Sequence, residues 1–350
     1  MRGIVNGMRF RSTVPLTVLL LSFLIVCARE TARPGTILSI STNQFLINGK
    51  PTFLLGFSYF GALGAPREFI KQDLDDFQKA GFKWLRVWAT WNQRGTNISA
   101  VDSKGDPRQP FLDHLESLIA ECDRRGMVVD VTLTRGKHIA ANSSALPDFA
   151  AHQQAVRTLT TTLKAHHNWF LDLANEHDVR DDRFVSDSEL ARLRQQVRDL
   201  DPGRLVSASF GGHDLTEEQV RTAIQTLKLD FLCPHRPRDP ESPSQTESKT
   251  RELISFLQEL QHSMPILYQE PFRRGYAKWE PTANDFFVDL AGAASREAAG
   301  WCFHNGGDRE GVGPGRGRSF DLSNKRLFDQ LDSEELLVVA GAADRVVRIK

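Results

Sequence analysis

The sequence predicts an α/β protein whose core is a (β/α)8 TIM barrel preceded by a short N-terminal β-hairpin. Three observations predict it. Strand-like apolar runs alternate with helix-like amphipathic stretches along most of the 350 residues, and parallel strands joined by crossover helices are what such alternation encodes. Counted along the chain, the runs make eight strand–helix units, the number that closes a barrel. No GxGxxG or GxxxxGK[ST] follows the first strand, which weighs against an open doubly wound sheet.

The elements follow in order. "ILSISTNQFLINGKPTFLLGFSY" places Asn48-Gly49 between apolar stretches, a hairpin signal, and runs into a buried strand at Phe53 to Phe57. "FIKQDLDDFQKAG" has apolar residues at helical spacing and stops at Gly81 before the strand "FKWLRVWATW". The same device repeats with "FLDHLESLIAECDRRG" and "MVVDVTL", with "AHQQAVRTLTTTLKAHHN" and "WFLDLANE", and with "SELARLRQQVRDLDPG" and "RLVSASFGG". "EEQVRTAIQTLK" precedes "LDFLCPHRPRD", "KTRELISFLQELQHSM" precedes "PILYQEPF", and "DFFVDLAGAASREAAG" precedes "WCFHNGG". Polar, Pro- or Gly-rich stretches after the sixth and eighth strands read as long loops, on the face where such barrels carry their sites.

Composition narrows the function classes. The chain has 44 basic and 44 acidic residues, so charge offers no reason to expect nucleic acid or an anionic membrane as partner. Arg2, Arg9 and Arg11 precede the uncharged run "VPLTVLLLSFLIVCA", the parts of a signal peptide over residues 1–28 with cleavage after Ala28. Residues 29–350 then form one domain, exported to the periplasm or outside the cell, with an uncleaved anchor as the alternative. Beyond Cys27, the cysteines are Cys122, Cys233 and Cys302. An odd number without CxxC makes neither a disulfide framework nor a zinc site, and buried thiols are expected, one disulfide staying open. Asn97 and Asn142 begin N-glycosylation acceptor triplets.

In a barrel the C-terminal strand ends converge on one mouth. Glu176 ends the fourth strand and Glu270 the seventh. Two carboxylates across one mouth suit glycoside hydrolysis, one protonating the leaving oxygen while the other attacks the anomeric carbon. Arg86 interrupts an apolar strand, and a buried arginine demands a carboxylate partner. No HExxH or EF-hand spacing is present, so neither metal nor cofactor is expected; the cluster of Asp308 and Glu310 is weak.

"FLDLANEHD" with Asn175-Glu176, "LYQEP" with Glu270, "WLRVWATW" with Arg86 and "GWCFHNGG" with Trp301 together resemble the retaining glycoside hydrolases of clan A, most nearly the family 5 cellulase and mannanase group. The resemblance spans roughly Leu46 to Asp308. It implies Glu176 as acid/base, Glu270 as nucleophile, Asn175 bonded to the sugar 2-hydroxyl, Arg86 beneath the nucleophile, and Trp301 as a sugar platform. It also implies an oligo- or polysaccharide substrate of glucan or mannan type. The family usually has Pro after the acid/base; here stands His177. On the sixth strand His235 takes the place of a residue that orients the carboxylates, while Arg236 and Pro237 stand where an aromatic is usual. Tyr268, two residues before Glu270, is expected on the same side of its strand. Trp88 and Trp91 suit either core or sugar, and Arg135 and His138 either substrate or solvent. Alternatives are a barrel that binds glycan or protein without catalysis, and a lyase or metal-dependent hydrolase.

Overall fold

A computed structural model describes residue 3 and residues 35–93, 95–134, 145–180, 183–275, 278–295, 297–306 and 320–349. The leader apart from residue 3, and Arg135, His138, Asn142, Asp308 and Glu310, lie outside the described residues. Residues 35–350 cluster as one unit. No helix among the described residues is long and apolar enough to cross a membrane.

The chain begins with a three-stranded antiparallel sheet of β1 (Leu38–Ser41), β2 (Gln44–Ile47) and β3 (Lys50–Pro51). Asn48 and Gly49 both have left-handed φ, 52° and 75°, the pairing that a two-residue hairpin turn requires. Then come β4 (Leu54–Ser58), α1 (Arg67–Lys79), β5 (Trp84–Trp88), a small ribbon of β6 (Asn92–Gln93) and β7 (Thr96–Asn97), α2 (Phe111–Arg124) and β8 (Val128–Thr134). The second half runs α3 (Phe149–Thr162), β9 (Trp169–Asn175), α4 (Asp187–Leu200), β10 (Val206–Ser207), β11 (Ser209–Gly212), α5 (Glu217–Gln225), β12 (Cys233–His235), α6 (Ser242–Glu259), β13 (Leu267–Tyr268), α7 (Ala283–Ser295), β14 (Gly300–Phe303) and α8 (Ser333–Ile349).

Seven strands pair in parallel in the order β10-β9-β8-β5-β4-β14-β13. β11 continues the fifth strand after a break at Ala208 and pairs with β12, and a parallel bridge from Leu232 to Ile266 joins β12 to the seventh strand. The ring therefore closes, and the eight predicted strands are present. Helix starts are set by local chemistry: Ser186 with Glu189, and Thr216 with Gln219, form capping boxes on α4 and α5.

Alternation along each strand separates two cores. Leu55, Phe57, Leu85, Val87, Val129 and Leu171 face the helices, while Leu54, Trp84, Val128, Phe170, Phe231 and Leu267 fill the lower barrel. Leu38 and Phe45 of the hairpin join the inner cluster, Phe45 meeting Phe231 edge-on at 5.1 Å, so the hairpin plugs the N-terminal end. Gly56 makes room for this layer, since a Cβ there would lie 2.1 Å from the Trp84 ring. Cys122, Cys233 and Cys302 are buried free thiols.

Candidate active site

The site is built in layers above that apolar floor. Because Trp84 points inward, period two turns Arg86 and Trp88 inward as well, and the register Arg86↔Asp130 and Thr132↔Asp172 puts Asp130 and Asp172 beside Arg86. Arg86 is fully buried. Its Nη2 donates to Asp172 Oδ2 at 3.1 Å and to Asn175 Oδ1 at 2.7 Å, its Nε donates to Thr132 Oγ1 at 3.1 Å, and its Nη1 makes a short bond to Glu270 Oε1. Asp130 Oδ2 lies 3.4 Å from the same Nε. Three carboxylates around one guanidinium leave excess negative charge. Burial, helped by Asp172, pushes Asp130 up to about 8 despite Arg86.

Asn175 and Glu176 reach the mouth through two irregularities. The pairing of β8 with β9 shifts register between Thr132 and Thr134, which returns Asn175 to the inner face although it follows Asp172 by an odd number of residues. Glu176 then adopts φ 51°, a left-handed conformation uncommon outside Gly and Asn. Its N–H donates to Ser209 Oγ at 3.0 Å, and that hydroxyl donates to Asp172 Oδ2 at 2.9 Å, tying the turn to the buried layer.

Glu270 follows the end of β13. With the strand finished at Tyr268, Gln269 and Glu270 both turn inward: Gln269 donates to Asp130 and lies 3.2 Å from His235 Nε2, while Glu270 faces Glu176. His235 Nδ1 is 3.3 Å from Glu176 Oε1 and 3.7 Å from Glu270 Oε2. One oxygen from each glutamate and one His235 nitrogen lie within 4.8 Å of one another. That spacing could hold a divalent cation, and the chain places its own cation there: Arg238 Nη2 is 3.1 Å from Glu176 Oε1 and 2.7 Å from Glu270 Oε2. His304 Nε2 lies 3.3 Å from Glu270 Oε2, and its Nδ1 meets Ser58 Oγ at 2.8 Å.

These neighbours set the ionisation of the pair. Burial pushes Glu270 up, but His304, His235, Arg86 and Arg238 outweigh it and hold the carboxyl well below the usual range. Burial also opposes Glu176 ionisation, yet His235 and Arg238 bring it down to about 2 against the repulsion of Glu270. Burial, the largest influence, and the flanking arginines keep His304 well below an ordinary histidine.

Of the residues singled out in the sequence, Glu176, Glu270, Arg86, Asn175 and His235 come together. Two do not. Trp301 is fully buried in the helix-facing core and donates from Nε1 to Asp289 Oδ2 on α7 at 2.6 Å. Tyr268 bonds Thr250 Oγ1 on α6 at 2.8 Å. Both point outward, so neither can touch a ligand in the mouth; the two-residue rule failed for Tyr268 because the strand stops there. The aromatic rings near the mouth are instead buried Trp88, stacked on buried Phe60 at 3.8 Å, and half-buried Trp91, 4.8 Å from Phe60. His177 is buried against Phe210 at 4.7 Å. The sequence reading missed Asp130, Asp172, Arg238 and His304. A charged residue at an inward position of an apolar strand was the available signal for the first two.

No family model matches the chain, and no curated protein does. Solved structures share its fold. A glycoside hydrolase family 5 mannosidase from Rhizomucor miehei superposes with TM-score 0.63 at 14% identity, covering 89% of this chain and 98% of its own. A family 5 glycoside hydrolase from Bacteroides vulgatus gives 0.64 at 16%, over 87% and 69%. The endo-β-1,4-mannanase of Thermotoga petrophila gives 0.58 at 14%, over 85% and 78%. At these identities the likeness is one of fold: the chain has the same (β/α)8 barrel as these structures.

Proposed function

We propose that this chain is a retaining glycoside hydrolase acting on a β-linked glycan of glucan or mannan type, with Glu270 as nucleophile and Glu176 as acid/base. The observation that carries it is the facing pair of carboxylates: one oxygen of each lies within 4.8 Å of the other, and both lie within hydrogen-bond reach of a single Arg238 nitrogen, the close facing arrangement that a double-displacement site uses. The structural neighbours named as mannanases make mannan a first polysaccharide to test.

The electrostatics fit those roles in sequence. Glu270, held ionised by the groups around it, attacks the anomeric carbon and forms an ester while Glu176 gives its proton to the departing oxygen. In the free site Glu176 is ionised; a sugar entering between the carboxylates displaces Arg238 and removes one cation from it, leaving the Glu270 charge to favour protonation. Once Glu270 is esterified that charge is gone, the Glu176 carboxyl falls again, and it accepts a proton from the water that cleaves the ester. Export through the N-terminal leader completes this reading.

A second reading, a barrel that binds glycan without cleaving it, draws on Arg238 spanning both carboxylates. Incubation with an activated 2-deoxy-2-fluoro glycoside separates the two. Peptide mass analysis should find the fluoroglycosyl group on Glu270. No adduct, or one on another residue, would overturn the assignment.

A further inference from the structure

Arg238 occupies the space where a sugar must be attacked, and it cannot retire far from it. It belongs to the segment between β12 and α6, whose backbone is clamped on both sides. Arg236 bonds Asp214 and donates to Ser242 O at 2.9 Å, and Asp239 Oδ1 accepts from the N–H groups of Glu241 and Ser242 at 3.0 and 2.9 Å. Pro237 and Pro240 restrict the chain further. A sugar entering the site can move the guanidinium only as far as its side chain swings.

The bonds given up include two charge-assisted ones to carboxylate oxygens of Glu176 and Glu270. A neutral sugar replaces them with hydroxyl acceptors. A sugar with its own carboxylate replaces them in kind, and the guanidinium fork is shaped for that partner. A second cation stands beside the first: Arg273 Nη1 is 3.4 Å from the His304 nitrogen that faces Glu270.

We propose that Arg238 is a specificity-determining residue that selects an anionic sugar, a hexuronate, for the catalytic subsite. This rests on the glycosidase reading and adds a carboxylate to the hexose ring assumed there. Ligand binding resolves the two.

The test compares the full chain with Arg238→Ala and Arg238→Lys on nitrophenyl β-glucuronide and β-glucoside, the corresponding mannuronide and mannoside, and a 6-sulfated glucoside. Binding of methyl β-glucuronide and methyl β-glucoside is measured in parallel by calorimetry. We expect kcat/KM at least 100-fold higher for a uronide than for its neutral counterpart, collapse of that ratio towards one in Arg238→Ala through a greater loss on the uronide than on the neutral sugar, and partial retention of the ratio in Arg238→Lys. Uronide binding should be at least 10-fold tighter than glucoside binding and fall to equality in Arg238→Ala. If no glycoside is cleaved but this binding preference holds, the hydrolase reading fails and the anion selection stands. If neutral glycosides are preferred, or Arg238→Ala changes all substrates equally, Arg238 is a gate and the proposal is overturned. Equal preference for the sulfated sugar would overturn the hexuronate assignment.

Discussion

Arg86 meets Glu270 from beneath the barrel mouth, through a short bond between two side chains that are almost wholly out of water. The same guanidinium also serves Asp172 and lies beside Asp130, so its removal strands several buried acids at once. Arg86→Ala is expected to cost about 3–5 kcal/mol, read from urea unfolding at neutral pH. Arg86→Lys keeps the charge but loses the planar fork; it should fold and lose at least about 100-fold in kcat through a misplaced Glu270. An Arg86→Lys enzyme of normal activity would refute that placement.

Glu176→Gln should separate substrates by leaving group. Removing a general acid costs roughly 10²–10⁴-fold where the leaving oxygen needs a proton, and little in the first step where it does not. Turnover of an unactivated oligosaccharide should therefore collapse, while a dinitrophenyl glycoside still shows a rapid burst of phenol. Glu270→Gln should abolish both, and activity in that variant would exclude Glu270 as nucleophile.

Asp130 makes stability depend on pH with a definite sign. Its folded value of about 8 lies above the ordinary carboxylate value, so the folded protein keeps a proton that the unfolded chain releases. The resulting stabilisation is full below about pH 4 and lost as pH rises through about 8. Asn imitates the protonated acid. Asp130→Asn should gain stability relative to the parent, by on the order of 1–3 kcal/mol, between pH 5 and pH 9 in paired urea titrations; a pH-independent difference would contradict it. Glu176 and Glu270, both held low, act oppositely, their contribution present above the ordinary carboxylate value and lost as pH falls below it.

Ser209 supports a turn rather than a substrate. Its hydroxyl accepts from Glu176 N and donates to Asp172, so Ser209→Ala should cost about 1 kcal/mol and lower kcat several-fold with KM little changed. A rise in KM at constant kcat would instead indicate contact with the sugar.

Trp301 and Trp91 should behave differently. Trp301→Phe removes a buried hydrogen bond to Asp289, so a loss of about 1.5–3 kcal/mol with unchanged KM is expected. Trp91→Ala, altering the half-buried aromatic near the mouth, should raise KM with little effect on stability. The reverse pattern would return the sugar platform to Trp301.

The barrel was legible because each strand is a short apolar run closed by a helix stop, and Glu176 and Glu270 were legible because each ends such a run. Which face a side chain takes was harder to read. Tyr268 and Glu270 share parity in the sequence yet face opposite ways because β13 ends between them, and Asn175 faces inward only through a register shift. Arg238 sits in "HRPRDP", where no periodicity exists and position is set by the neighbouring Arg236 side chain, which reaches Asp214 and the Ser242 carbonyl. Asp130 and Asp172 were readable in principle, as charges that Arg86 required.

The hairpin that stoppers the lower barrel gives the molecule a division of labour along its axis. Leu38 and Phe45 seal one end with hydrocarbon, while ionisable side chains crowd the other. Substitutions that harden the protein against heat can therefore be made in β1 and β2 with the reacting groups undisturbed. On the glycosidase reading, that seal directs substrate and product to the ionisable end of the barrel, where entry and release share the same opening.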